Sequence, residues 1–389
     1  MNEENIPVVS ASRYLNLSAA MTNAPSAFKL IDADVHNALA SPNDLLPFLP
    51  TYWREEVKAR GMNIPWAGYS SPVGVLREDA RPDDGAGGPG SSPAFLMKDH
   101  MDRYHIDYAI LTGSGMLSLS LHNDPDYATA LAAALNEWLV ATWLAFSTRF
   151  RGSIIVNHSD PLAAAKEIRK WGGHPQISQV LMASGSNRLF GQRFFHPIYE
   201  AAAECGLPVA VHPGSEGAGT APNVTPAGRP TRYFEWHNIL PINYMAHVNS
   251  LVCEGVFEKF PTLKFVALEG GIAWLPHLMW RMDKNYKALR AQTPWLKKLP
   301  SDYIRQHLHV TTQPIEETEK PEHLLQIFEM IDAPGMIMFS SDYPHWDFDN
   351  PKMALPPLPK EMKERVVWKN AAELYHLPAP SAAAVPLAS

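Results

Sequence analysis

The chain has 389 residues, 46 % hydrophobic and 19 % charged, the balance of a globular protein able to bury a sizeable core and not of a disordered chain. With 33 Lys+Arg against 40 Asp+Glu the formal charge is −7, so nothing electrostatic points to nucleic acid or an anionic membrane, and a small molecule is the default partner. No stretch reaches the roughly 18 apolar residues of a membrane span. The first 28 residues, with Glu3 and Glu4 and only Arg13 as an early cation, fit neither a secretory signal nor a transit peptide, so a cytoplasmic protein is expected.

Residues 1–28 read as a partly flexible lead-in. The first strand signal is Phe28-Lys-Leu-Ile-Asp-Ala-Asp-Val-His36, ended by Asn37 and the turn residues Ser41-Pro42-Asn43-Asp44. Residues 52–94 show little regular pattern, and the Gly/Pro/Ser-rich run 81–93 marks 58–96 as a loop insertion, either a lid or a mobile loop. Seven further strands are expected at 108–112, 153–157, 177–182, 207–212, 263–269, 307–312 and 336–342. Helices are expected between them at 124–149, 160–171, 196–205, 239–259, 272–290 and 319–331. Gly206-Leu207-Pro208 and Phe260-Pro261 end helices just before strands, the punctuation of repeated βα units. A last helix at 361–375 precedes a Pro/Ala-rich tail, 378–389. Eight strands joined by crossover helices predict one (β/α)8 TIM barrel over 29–377. Cys205 and Cys253 lie in helical patterns and read as reduced, partly buried thiols.

A parallel barrel builds its active site at the C-terminal ends of its strands. There the first strand delivers Asp32, Asp34 and His36, the fifth His212, the sixth Glu269, and the eighth Asp342 with His345 just beyond. Residues two apart on a strand share a face, so Asp34 and His36 can meet one cation. His212 and Asp342 complete a candidate ligand set of two imidazoles and two carboxylates. Such a set suits Zn²⁺ best, with Mn²⁺ or Fe²⁺ as other possibilities, and would draw the pKa of a bound water toward about 7. Glu269 is a candidate base or further ligand, and Asp32 a supporting residue. His237 and His247 follow strand 5 and are candidates by position; His158 ends strand 3. Arg188 and Arg193, after strand 4, are candidates to clamp a substrate carboxylate. Trp66, Trp236 and Trp346 lie in long loops near the expected mouth.

The motif order resembles the amidohydrolase superfamily, in the branch of aminocarboxymuconate-semialdehyde decarboxylase. The resemblance spans about 29–375 and rests on Asp34-x-His36, His212, Ser341-Asp-Tyr-Pro-His345, Gly255-Val-Phe-Glu-Lys-Phe-Pro-Thr-Leu-Lys-Phe265 and Lys369-Asn-Ala-Ala-Glu-Leu-Tyr375. It implies a barrel enzyme with a divalent metal on Asp34, His36, His212 and Asp342, and a homodimer. Two positions depart from that branch. Asp34 stands where many members have His, and Glu269-Gly-Gly stands where many have a catalytic His-Gly-Gly. Proton transfer is therefore expected from Glu269 or another histidine, with His247 and His345 as candidates.

The leading expectation is hydrolysis of an amide, lactone or similar carbonyl compound by metal-activated water. The alternative is non-oxidative decarboxylation of an aromatic or unsaturated acid. A two-iron oxygenase using Asp34, Glu269 and Asp342 with the histidines, and a non-catalytic binding barrel, are further alternatives. The chain has no Gly-x-Gly-x-x-Gly or Gly-Lys-Ser/Thr phosphate cradle and no Gly-x-Ser-x-Gly elbow, so nucleotide chemistry and serine hydrolysis have no support.

Overall fold

The computed structural model describes residues 30–68 and 72–378. The expected lead-in 1–28 and the tail beyond Pro378 lie outside the described residues. Eight strands follow in chain order: β1 Ile31–Val35, β2 Tyr108–Leu111, β3 Phe150–Ile155, β4 Ile177–Ala183, β5 Val209–His212, β6 Phe265–Ala267, β7 Leu308–Thr311 and β8 Ile337–Met338. Each pairs in parallel with the next. Main-chain bonds beyond the short β8 close the ring, Ala33 N to Phe339 O at 2.9 Å and His36 N to Tyr343 O at 2.8 Å. The (β/α)8 barrel that the alternation predicts is the observed fold. Nearly every strand residue is buried, as expected where helices cover one face and barrel side chains fill the other.

Eight helices of eight residues or more cover the described chain: α1 Thr51–Arg60, α2 Pro125–Trp138, α3 Pro161–Trp171, α4 His196–Glu204, α5 Pro241–Cys253, α6 Trp274–Leu289, α7 Pro300–His307 and α8 Pro321–Ile331. Asp124 and Asp160 cap α2 and α3 through the free N–H groups of their first turns, with proline at the first helical position.

The boundaries differ from the sequence pattern for local reasons. β3 starts at Phe150 because Arg151, whose charge disguises the strand, lays its guanidinium over the Tyr108 ring at 4.4 Å. The helix expected at 124–149 leaves α geometry at Trp138 and continues as the wider turn Leu139–Leu144. The one expected at 239–259 is broken by Gly255 in the left-handed region. α1 and α7 were not expected. β6 and β8 are shorter than their apolar runs, since the chain leaves the ladder toward two non-glycine residues in left-handed conformation, Glu269 at φ 50° and Asp342 at φ 57°.

The part of the 58–96 insertion from Val75 to Gly90 is docked against the ends of β1 and β8. Arg77 N bonds Pro344 O, Trp346 N bonds Val75 O and Ala38 N bonds Gly90 O, each at 2.9 to 3.0 Å. Gly90 has φ 76°, and a Cβ there would lie 2.6 Å from the His36 carbonyl oxygen, so only glycine fits against the end of β1.

Asn136 joins α2 to β3. Its buried amide donates to Ile155 O and accepts from Ile155 N, both at 2.9 Å. Asn136→Leu leaves both backbone groups unpaired, and we expect a stability loss on the order of 2–4 kcal/mol. A lower urea midpoint with unchanged metal content would bear this out; an unchanged midpoint would remove Asn136 as an anchor.

Candidate metal centre

Asp34 from β1, His36 just past its end, His212 from the end of β5 and Asp342 just past β8 are all buried, and one ligand atom of each lies within 4.8 Å of every other. His36 Nε2 is 2.7 Å from Asp342 Oδ1 and His212 Nε2 is 3.4 Å from Asp34 Oδ2. The other ring nitrogen of each histidine is spoken for. His36 Nδ1 donates to the Gly113 carbonyl, and His212 Nδ1 donates to Pro213 O at 2.8 Å. That fixes the tautomer in which Nε2 carries the lone pair. Thr112 Oγ1 likewise holds Asp34 Oδ1 at 2.6 Å. What remains is Asp34 Oδ2, His36 Nε2, His212 Nε2 and Asp342 Oδ2, four buried atoms with no hydrogen bond. Buried polar atoms are rarely left so. A divalent cation satisfies them all, and the residues fit one.

Asp32 supports the group from behind, as expected. It accepts from Ser341 N at 2.9 Å, from Ser341 Oγ at 2.6 Å and from His100 Nε2 at 2.7 Å, tying β1 to the residue before Asp342.

Glu269, His345 and His237 ring the same centre. Glu269 Oε2 is 3.1 Å from His212 Nε2, and Oε1 is 3.7 Å from His237 Nε2. His345 Nδ1 is 2.8 Å from Asp342 Oδ1. Burial pushes the Glu269 carboxyl up, and the nearby Asp342 carboxylate adds to this. Burial lowers the histidines, but facing carboxylates outweigh it: Asp34 and Glu269 push His212 up to about 10, Asp347 and Glu269 push His237 up to about 10, and Asp342 pushes His345 up to about 9. Without a cation this centre collects protons; binding of a dication displaces them.

Two expected site residues are placed elsewhere. His247 is buried in α5 with both ring nitrogens engaged, Nδ1 accepting from Phe190 N at 3.3 Å and Nε2 donating to Ser184 O at 2.8 Å, and its ring stacks on Phe190 at 3.8 Å. It is a positioning residue of the β4 loop, and burial lowers its pKa to about 4. Arg188 is exposed over the Phe194 ring on the flank of a separate cavity of about 120 Å³, which Glu216, Asn223 and Asn243 also line. Arg193 and Trp66 are exposed, and His158 packs against Phe190 and Phe195. Trp236 is buried on Glu216, whereas Trp346 lies 5.7 Å from the His237 ring. Cys205 and Cys253 are free.

The sequence reading missed Thr112, Gly113, His100, Gln313 and Asp347. Thr112 closes an expected strand, which was a usable signal. Asp347 sits two residues past His345, in a run of acids that carried no motif. His100, in the insertion, had none.

Fold and site together define a barrel enzyme with a divalent-metal centre at its C-terminal rim. The amidohydrolase family model matches residues 31–377, and the chain belongs to that family. The gamma-resorcylate decarboxylase of Polaromonas sp. (strain JS666 / ATCC BAA-500) is 24 % identical over 301 residues, covering 71 % of this chain and 85 % of that protein. Two solved structures share the fold. The 5-carboxyvanillate decarboxylase of Novosphingobium aromaticivorans DSM 12444, complexed with manganese and 4-hydroxy-3-methoxy-5-nitrobenzoic acid, has a TM-score of 0.67 at 19 % identity over 90 % of this chain and 96 % of that one. The dihydroxybenzoic acid decarboxylase of Polaromonas sp. JS666, with manganese and 2-nitroresorcinol, has a TM-score of 0.61 at 20 % identity over 90 % and 97 %. No helix among the described residues is long and apolar enough to cross a membrane.

Two outcomes are expected. Elemental analysis of Asp342→Ala shows bound divalent metal falling to near zero from at least one equivalent per chain; retention of the metal would sink the ligand assignment. In the metal-free protein, His158 and His247, both lowered to about 4 chiefly by burial, stay neutral in the fold while the unfolded chain protonates near pH 6.5. Their contribution is complete above that pH and is lost as pH falls toward 4, by on the order of 3 kcal/mol each. Urea unfolding between pH 7 and 4 measures it, and a flat profile would refute it.

Proposed function

We propose that this enzyme is a metal-dependent, non-oxidative decarboxylase of an aromatic or unsaturated carboxylic acid. The carrying observation is the 24 % identity over 301 residues with a gamma-resorcylate decarboxylase. The site agrees with it, since a buried ligand group stands beside a separate carboxyl group, Glu269, able to handle a proton. Hydrolysis, the leading expectation from sequence, would use the same ligands but finds no support in that relative.

Asp34, His36, His212 and Asp342 would hold the ion, and the manganese of the two solved relatives makes Mn²⁺ as suitable as the Zn²⁺ favoured from sequence. Bound there, a divalent cation supplies positive charge that orients and neutralises a substrate carboxylate or phenolic oxygen. Glu269 then gives its proton to the ring carbon that bears the carboxylate. The bond from that carbon to the carboxylate breaks, its electron pair restores the aromatic ring, and CO₂ leaves. Glu269 regains a proton from water by way of His237 and Asp347. Tyr233, stacked on His237 at 5.4 Å, and Trp346 supply flat apolar surface at the rim for an aromatic substrate.

Incubation with Mn²⁺ and either 2,6-dihydroxybenzoate or 5-carboxyvanillate in D₂O tests the reading. CO₂ release with one deuterium at the vacated carbon is expected, and Glu269→Gln should lower kcat by about 10²–10⁴-fold while metal content stays the same. Cleavage of amides or lactones with no CO₂ from any acid would restore the hydrolase.

A further inference from the structure

Glu216 is a buried carboxylate, 5 % exposed, outside the ligand group and outside the acids that ring it. It stands four residues past His212, in the loop after β5, and no cation pairs with it among the described residues. Four uncharged donors hold it instead. Ser184 Oγ, just past β4, donates to Oε1. Gly214 N at 2.9 Å, Ser215 N at 3.1 Å and Trp236 Nε1 at 3.2 Å donate to Oε2. Burial pushes its carboxyl up, and the hydrogen bonds it accepts offset only part of that rise.

The donors come from three segments that frame two histidines of the centre. Ser184 N donates to the carbonyl of the ligand His212 at 2.9 Å. Gly214 and Ser215 belong to the turn whose first residue, Pro213, receives His212 Nδ1, so the turn that fixes the ligand's tautomer is the turn that Glu216 pins. Trp236 precedes His237 on the helix Tyr233–His237, which has five residues and no capping side chain. A helix that short does not hold itself in place. Packing between the loops does little of this work, because the cavity of about 120 Å³ parts them, with Ser184 and Gly185 on one wall and Gly217 and Pro222 on the other. They meet directly at Gly185, whose N–H donates to Ser215 Oγ at 2.9 Å and where a Cβ would lie 2.4 Å from Ser215 O.

We infer that Glu216 is a positioning residue of the metal centre, clamping the turn that orients His212 and the short helix that presents His237. It acts by accepting hydrogen bonds and not by its charge. In Glu216→Gln the amide oxygen can take the three N–H groups while the amide nitrogen donates to Ser184 Oγ, since a hydroxyl accepts as well as donates. In Glu216→Leu all four donors lose their partner at once.

The test on His212 needs no substrate. Mn²⁺ binding to the chelator-stripped full chain is read by electron paramagnetic resonance of the free ion, with thermal melts to show that each variant is folded. The dissociation constant should rise about 10–100-fold in Glu216→Leu and stay at the wild-type value in Glu216→Gln. Ser184→Ala, which removes a single bond, should weaken binding less, and it keeps the test open should Glu216→Leu not fold. Wild-type affinity in the folded Leu and Ala variants would overturn the clamp, and an equal loss in Gln and Leu would show that charge, not acceptance, is what matters. The test on His237 rests on the decarboxylase reading. Trp236→Phe removes only the bond to the short helix, so Mn²⁺ affinity should hold while kcat on 2,6-dihydroxybenzoate or 5-carboxyvanillate falls about 10–100-fold at unchanged KM. Wild-type kcat in that variant would overturn the hold on His237. Turnover of neither acid by the wild type would count against the decarboxylase reading, and the Mn²⁺ comparison would still decide the clamp.

Discussion

Everything at the rim depends on the seam where β8 meets β1. The two parts of the ligand group come from opposite ends of the chain, Asp34 and His36 near its start and Asp342 over 300 residues later, and they meet only because the sheet closes. β8 itself has two residues, too few to fix the register. The work falls to Ala33 N on Phe339 O, His36 N on Tyr343 O, and the Asp32 carboxylate gripping Ser341. The last of these is the most telling, since it anchors the residue next to a ligand, and it lets Asp342 adopt the left-handed backbone that turns its side chain inward.

The second constraint is the number of carboxylates. Burying an unpaired carboxylate costs several kcal/mol, and this rim gathers Asp32, Asp34, Glu269 and Asp342 with Asp347 and Asp349 close behind. The fold gives most of these groups donors: Ser341 and His100 on Asp32, Thr112 on Asp34, His345 on Asp342, Gln313 on Asp347. Asp34 Oδ2, Asp342 Oδ2 and Asp347 Oδ1 receive none. Asp349 shows the pressure that remains, for burial and then its Asp347 and Asp342 neighbours push it up to about 7. Such crowding is stable only with positive charge in the middle, which makes the metal part of the structural account as well as the chemical one.

Legibility in the sequence followed the same division. Strand ends were readable because apolar runs stop abruptly at Asp34-x-His36, His212 and Asp342, and period-two geometry puts the right atoms on one face. Residues whose role depends on tertiary approach were not. His100 lies in an insertion with no pattern, and nothing local indicates that it will stack on Tyr343 and bind Asp32. His247 misled for the opposite reason. It follows strand 5 as a site residue should, but it sits in the middle of α5 and faces the β4 loop, where the backbone of Phe190 and Ser184 takes both nitrogens. The packing of α5, invisible in the sequence, turns His247 away, while His237 reaches the site from the separate short helix Tyr233–His237.

Glu269 stands where the family resemblance implies a histidine. An imidazole does approach the site, from another element, as His237 on the short helix Tyr233–His237 after β5. The exchange changes what the strand 6 position can do. An imidazole offers one nitrogen to the centre and one to its support, whereas a carboxylate offers two oxygens to the centre, and Glu269 turns them toward two different histidines. The left-handed backbone at Glu269 and the hydrogen bond from its N–H to Thr311 Oγ1 at 3.0 Å hold it in that forked pose. A carboxylate bonded into facing two ways couples the histidine of the metal-ligand group, His212, to the one beyond it, His237.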